Sequence, residues 1–279
     1  MAGKARGRKS IFITGAASGI GRVTAVLFAG KGWFVGAFDV NADGLAELSR
    51  EIGADNCLTR RLDVTDKSDF ESAVAAFGAE TGGTMDMLFN NAGIAETGWF
   101  EDIPYEAALR IVQINLVGVL TGIYAALPLL KATTNSLCFS TCSASAIYGA
   151  PRLAVYAATK FAVKGLTEAL SVEFSRHGVR VADTLPGFIN TPLIRMPPRG
   201  APGANSAGGT IEDNAPKSGP LRVIPPEDVA DAVWSAYCGD KLHWYVPPEL
   251  TWLERLKGIA PQTVRARIKR MASKALSIK

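Results

Sequence analysis

The sequence predicts an α/β fold, an open, doubly wound parallel sheet with helices on both faces. Three observations carry that reading. Strand-like and helix-like segments alternate from Ser10 to Thr184. A glycine turn, Gly15-Ala16-Ala17-Ser18-Gly19-Ile20-Gly21, joins the first strand to the first helix. The 279 residues are 48% hydrophobic and 20% charged, enough to bury a core and too apolar for a chain disordered as a whole.

Taken in order, Ser10–Thr14 (SIFIT) reads as a strand and Gly19–Gly30 as a helix. Trp33–Phe38 is a second strand and Ala42–Ile52 a second helix. Cys57–Leu62 is a third strand, followed by a helix over Lys67–Ala79. Met87–Phe89 is a short strand and Pro104–Leu130 a long helix. Ser136–Thr141 is a strand, Leu153–Arg176 a helix and Val179–Thr184 a strand. Alternation of this kind builds βαβ units, and right-handed crossovers then cover both faces of the sheet. Regular patterning stops after Gly187, and 195–226 is a Pro-, Gly- and Ser-rich stretch of the length that lids have. Pro226 with Glu227 and Asp228 starts another helix, since Pro fits the first turn and acids suit its positive end. No linker separates two cores, so 10–249 reads as one domain, preceded by a basic arm (1–9) and followed by a basic extension (250–279).

Composition excludes several classes. Cys57, Cys138, Cys142 and Cys238 are too few and scattered for a disulfide framework. With only two histidines, His177 and His243, no metal site is expected. The arm MAGKARGRK precedes too short an apolar run for a secretory signal. Residues 111–130 have no charge and the length of a membrane span, but Gln113, Asn115, Thr121 and Pro128 are awkward in lipid. The net charge is +4; residues 1–9 carry +4 and 250–279 carry +7, which leaves −7 on 10–249. The overall charge is therefore no sign of a nucleic-acid-binding fold, and no nucleic-acid partner is expected.

The glycine turn has a physical reading. Gly15 permits the tight turn, Gly19 lets backbone approach a pyrophosphate, and Gly21 lets helix and sheet pack closely. The helix N-terminus beyond offers free N–H groups to phosphates. Asp39 ends the second strand, where an acid would bind the adenosine ribose hydroxyls and repel a 2′-phosphate. Its chain neighbours Phe38, Val40 and Asn41 bring no cation, and Arg22 lies inside the first helix. NAD is therefore expected over NADP.

Tyr156 and Lys160 stand four apart on one helix face. A tyrosine is a poor base near neutral pH, and an adjacent ammonium would favour the phenolate. The pair can then move the proton of an alcohol. Ser143 follows the strand Ser136–Thr141, and Asn90-Asn91-Ala92-Gly93 follows another, both at the carboxyl edge where doubly wound sheets bind ligands.

With these pieces in place the chain resembles the short-chain dehydrogenase/reductases, a family built on the Rossmann fold. The resemblance rests on the TGAASGIG turn, Asp63-Val64, the NNAG run at 90–93, Asn115, and Ser143 thirteen residues before Tyr156. Tyr-Ala-Ala-Thr-Lys at 156–160 and Pro186-Gly187-Phe188-Ile189-Asn190-Thr191 complete it. It implies a catalytic set of Asn115, Ser143, Tyr156 and Lys160. Tyr156 would exchange the proton and Lys160 would bind the nicotinamide ribose. Ser143 would hold the substrate oxygen, and Asn115 a relay water. Cofactor contacts would come from Gly15, Ser18, Gly19, Ile20, Gly21, Asp39, Asp63, Val64 and Asn91 to Gly93, and from Tyr156, Lys160, Pro186, Gly187, Ile189 and Thr191. Substrate contacts would be Ser143, Trp99, Phe188 and Leu193. The uncharged stretch 111–130 becomes a helix beside the sheet, often part of a helix-paired dimer interface.

The C-terminal region departs from many relatives, which end in a strand and a Gly-Gly turn. Here His243-Trp244-Tyr245-Val246-Pro247-Pro248 runs on into a basic amphipathic helix, with Val264, Ile268, Met271 and Ala275 on one stripe. Docking on its own subunit, on a dimer mate or on a membrane surface fits that pattern. The expectation is a cytoplasmic, NAD-dependent oxidoreductase, a homodimer or homotetramer. It would interconvert a secondary alcohol and a ketone on an apolar or aromatic, steroid- or lipid-like substrate. The rival is a non-catalytic NAD-binding module that works through its basic helix.

Overall fold

Side chains alternate between the faces of a strand, and here both faces are apolar. In the computed structural model, which describes residue 5, residues 7–196 and residues 210–276, Phe12 points to one core while Ile11 and Ile13 point to the other. The same split separates Leu88 from Met87 and Phe89, and Cys138 from Leu137 and Phe139.

The elements follow the predicted alternation. They are β1 (Ser10–Thr14), α1 (Gly19–Gly30), β2 (Phe34–Asp39), α2 (Ala42–Ile52), β3 (Cys57–Arg61), α3 (Lys67–Thr81) and β4 (Met87–Asn90). Then come α4 (Tyr105–Val112), a π-helical stretch (Gln113–Val117), α5 (Gly118–Lys131), β5 (Leu137–Thr141), α6 (Ala154–Glu173) and β6 (Arg180–Pro186). The C-terminal part holds β7 (Phe188–Ile189), α7 (Ile211–Asn214), β8 (Val223–Ile224), α8 (Pro226–Cys238), β9 (His243–Val246), α9 (Leu250–Ile259) and α10 (Pro261–Leu276).

Seven parallel strands form the main sheet in the order β3-β2-β1-β4-β5-β6-β9. The order reverses between β1 and β4, which opens a crevice at their carboxyl ends. One core gathers α3, α5 and α6 residues such as Phe70, Phe77, Ile123 and Val163; the other gathers α1, α2 and α8 residues such as Phe28, Leu48 and Val233. Gly36 makes room for Phe77, whose ring would lie 2.6 Å from any added Cβ. Asn41 caps α2 by accepting from Gly44 N–H, and Asp66 caps α3 by accepting from Ser68 and Asp69 N–H.

The structure departs from the sequence reading in the second half. The long apolar helix is interrupted at Gln113–Val117 by a π-helical stretch. One helical run, Tyr105–Lys131, has the length and apolar composition to cross a membrane. Its buried residues nevertheless form a stripe (Ile111, Asn115, Val119, Ile123, Ala126, Leu130) laid against the sheet. His243–Val246 pairs with β6 as the seventh strand despite the missing Gly-Gly ending. Within 195–226, read as patternless, α7 and β8 form, and β8 pairs with β7. The extension is two helices, broken at Ala260-Pro261. Residues 1–4 and 6 of the basic arm, 197–209 of the lid, 277–279 and the side chains of Met271 and Ala275 lie outside the described residues.

Candidate active site

The crevice is a cavity of about 920 Å³ at the carboxyl ends of the strands. Its wall includes every predicted catalytic and cofactor residue except Gly21 and Asn115, and two of the substrate candidates, Ser143 and Leu193. Trp99, 38% exposed, and Phe188, held in the β7–β8 pair, are not part of that wall. Ile194 and Met196 stand beside Leu193 in it and give this end an apolar lining.

Glycine geometry shapes the cofactor end. Gly15 has φ +67°, and a Cβ there would come 2.9 Å from the Ala92 Cα. A Cβ on Gly21 would come 2.1 Å from the Gly15 carbonyl oxygen, so Gly21 acts behind the wall by letting α1 close on the turn. The turn and the run after β4 are laced together. Thr14 Oγ1 accepts from Asn91 and Ala92 N–H at 3.0 Å each, and Asn91 Nδ2 donates to the Thr14 carbonyl at 3.1 Å. Ser18 precedes α1, whose first turn carries no acid and no side-chain cap, so its N–H groups face the crevice with their positive partial charge. Asp39 is fixed by both carboxylate oxygens, accepting from Ala17 N–H at 3.0 Å and Asn41 N–H at 2.9 Å. These features fit a dinucleotide: a backbone cradle for phosphates and a carboxylate at the adenosine end.

Sequence neighbours alone could not show Arg61. It lies opposite Asp39 in the β2–β3 register, and it is exposed. Leu109, Arg110 and Gln113 of the α4 region also line the cavity unannounced. The signal for Arg110 and Gln113 is their polarity on an otherwise apolar helix; Leu109 has none.

The catalytic end is built on β5 and α6. Ser143 is buried, and its Oγ accepts from Ser145 N–H at 3.1 Å, which orients the hydroxyl beside the cavity. Lys160 is 4% exposed, and its Nζ donates to the Thr141 carbonyl at 2.7 Å and sits 5.6 Å from the Tyr156 ring centroid. Burial lowers the Lys160 pKa to about 8. Burial also raises the Tyr156 pKa to about 12, with the Ser143 hydrogen bond pulling the other way. This differs from the expected depression of the tyrosine by its lysine. In this arrangement desolvation dominates the tyrosine, and the Lys160 ammonium is directed at the Thr141 carbonyl.

Asn115 is fully buried behind the wall. Its Oδ1 accepts from Ile94 N–H at 2.9 Å, and its Nδ2 donates to the Ile94 carbonyl at 2.8 Å. The side chain therefore clamps the 91–94 run, which lines the cavity, to the π-helical stretch.

Comparison with known proteins agrees with this geometry. A family model described as short chain dehydrogenase matches residues 9–197. The chain is 37% identical over 202 residues to 2,5-dichloro-2,5-cyclohexadiene-1,4-diol dehydrogenase LinX of Sphingobium indicum, covering 71% of this chain and 80% of that protein. It is 33% identical over 189 residues to cyclohexanol dehydrogenase of an Acinetobacter species, covering 67% and 75%. Among solved structures, 3-ketoacyl-(acyl-carrier-protein) reductase from Brucella melitensis complexed with NADH is similar, with a TM-score of 0.73 and 28% identity, covering 85% of this chain and 96% of that one. The chain belongs to the short-chain dehydrogenase/reductase family, oxidoreductases that act on CH–OH groups with a nicotinamide cofactor.

Proposed function

We propose that the protein is an NAD-dependent dehydrogenase that interconverts a secondary alcohol and a ketone on an apolar, ring-bearing substrate. The observation that carries this is the convergence of Ser143, Tyr156 and Lys160 on the cavity that Asp39 also lines. When bound, the nicotinamide supplies the hydride chemistry. The chain's own groups do the rest. Ser143 holds the substrate oxygen, Tyr156 gives or takes its proton, and Lys160 holds the ribose. The Asn115 side chain is occupied by Ile94, so any relay contribution from this position comes from backbone. A π turn leaves a carbonyl without its regular i+4 donor, and such turns favour functional sites.

The hydrogen-bonded Asp39 carboxylate supports NAD over NADP, since a 2′-phosphate would meet a fixed negative charge there. Ile194 and Met196 support an apolar substrate, and two relatives are named for alcohols on six-membered carbon rings. Exposed Tyr124 on α5 and Val172 on α6 support a homodimer or homotetramer.

The test is turnover of cyclic secondary alcohols by purified protein with NAD or NADP, read as reduced-cofactor absorbance. NAD should give the higher kcat/KM, and a preference for NADP would overturn the assignment of Asp39. Tyr156→Phe should lower kcat by roughly 10²–10⁴-fold and leave NADH affinity unchanged. Undiminished turnover in that variant would remove Tyr156 from its role.

A further inference from the structure

The apolar stripe of the extension, led by Val264 and Ile268, is turned inward: Val264 is 2% exposed and Ile268 half-buried. The apolar face left outside belongs to α9. Trp252, Leu256 and Ile259 are 69%, 43% and 85% exposed. Their spacing places them on one side of the helix. Leu250 and Leu253, on the other side, pack into the core.

One cation lies against this face, and others follow it in the chain. The Arg255 guanidinium lies 5.1 Å from the Trp252 ring centroid. On α10, Arg265, Arg267, Lys269 and Arg270 are all exposed. Residues 250–279 hold eight Lys/Arg against one Glu, net +7.

We propose that α9 and α10 form a docking surface for an anionic lipid bilayer. Trp252, Leu256 and Ile259 enter the interfacial layer, and the cations lie against the headgroups. The charge division argues for this occupant. A negative plane attracts the +7 extension and repels the −7 of residues 10–249, which favours the orientation that turns the extension toward the plane. A tryptophan beside aliphatic side chains suits the boundary between headgroup and acyl chain. A symmetric contact with a second copy would bring two +7 surfaces together. A nucleic acid would leave Leu256 and Ile259 in water.

The experiment is co-sedimentation of full-length protein with phosphatidylcholine vesicles, with and without about 30% phosphatidylserine. Binding is expected on the anionic vesicles, little on the neutral ones, and less at high salt, because exposed charges are screened. Trp252→Ser with Ile259→Ser should lower partitioning at least about tenfold. Both sites are exposed, so the melting temperature of this variant should match the parent. Arg267→Glu with Arg270→Glu should weaken anionic binding by at least as much. No binding, equal binding to both vesicle types, or full binding by the Trp252/Ile259 variant would overturn the proposal. So would a change in that variant's oligomeric mass without vesicles, which would assign the face to a second copy.

Discussion

Lys160 costs the fold something for its place in the site. A buried ammonium disfavours the folded state, and its pKa falls from 10.5 to about 8. Between those values the unfolded chain holds a proton that the folded chain has lost. Stability therefore rises with pH across this window, and the penalty is in full force below pH 8. A shift of this size corresponds to roughly 3 kcal/mol. Replacing Lys160 by Met removes the penalty but leaves the Thr141 carbonyl without its donor, which costs about 1 kcal/mol. Lys160→Met should thus be more stable than the parent by about 2 kcal/mol at pH 7, while losing turnover. The advantage should vanish by about pH 10. Urea denaturation at both pH values checks this, and a variant less stable at pH 7 would refute it. The identity of this lysine was legible in the Tyr-x-x-x-Lys spacing. Its bond to Thr141 was not, because that contact depends on where β5 ends relative to α6.

At the scale of elements, the long helix from Tyr105 to Lys131 shows what a linear pattern carries. Its apolar length was evident, and so was the oddity of Gln113 and Asn115 within it. The π-helical stretch was not, since one extra residue per turn leaves no compositional trace. The short strands β7 and β8 were lost for a related reason: two residues are too few for a periodicity. The seventh strand, His243–Val246, gains its place from pairing with β6, which no local signal reports. The glycines of the helix are equally informative once placed. A Cβ on Gly122 would lie 2.4 Å from Asn90 Oδ1 and 2.8 Å from the Phe70 ring, and one on Gly118 would lie 2.8 Å from Val64. These two positions let the helix approach the sheet edge that carries the cofactor wall. Gly122→Val should force that helix outward and destabilise the protein by about 2 kcal/mol or more. Thermal melting reads the loss; an unchanged melting temperature would mean that the helix does not sit this close.

Across the whole molecule, the C-terminal elements are joined to the catalytic helix by a chain of ionisable groups. Asp183 of β6 is fully buried, and its Oδ1 lies 2.7 Å from His243 Nδ1 of β9. His243 Nε2 lies 3.5 Å from Glu168 of α6. One turn earlier on α6, Lys164 pairs with Glu254 of α9 at 2.8 Å. Lys164 is itself one turn from Lys160, so β9 and α9 brace the helix that presents the catalytic pair. Burial pushes the Asp183 carboxyl above its ordinary range, and the His243 hydrogen bond opposes that push. Taking His243 away leaves a buried carboxylate without its imidazole, a change that typically costs about 3 kcal/mol or more. The sign of its pH dependence follows from the raised pKa. A carboxyl that is harder to ionise when folded favours the fold while protonated, and the cost grows as pH rises through its folded pKa. His243→Ala should therefore lose more stability at pH 8 than at pH 5. Asp183→Leu combined with His243→Leu removes both polar groups and should recover much of the loss, because apolar replacement of a buried pair is often neutral. Denaturation curves for the single and double variants at the two pH values decide it. A His243→Ala loss that is equal at pH 5 and pH 8, or a double variant as unstable as the single, would show that the Asp183–His243 pair does not set the stability of this region.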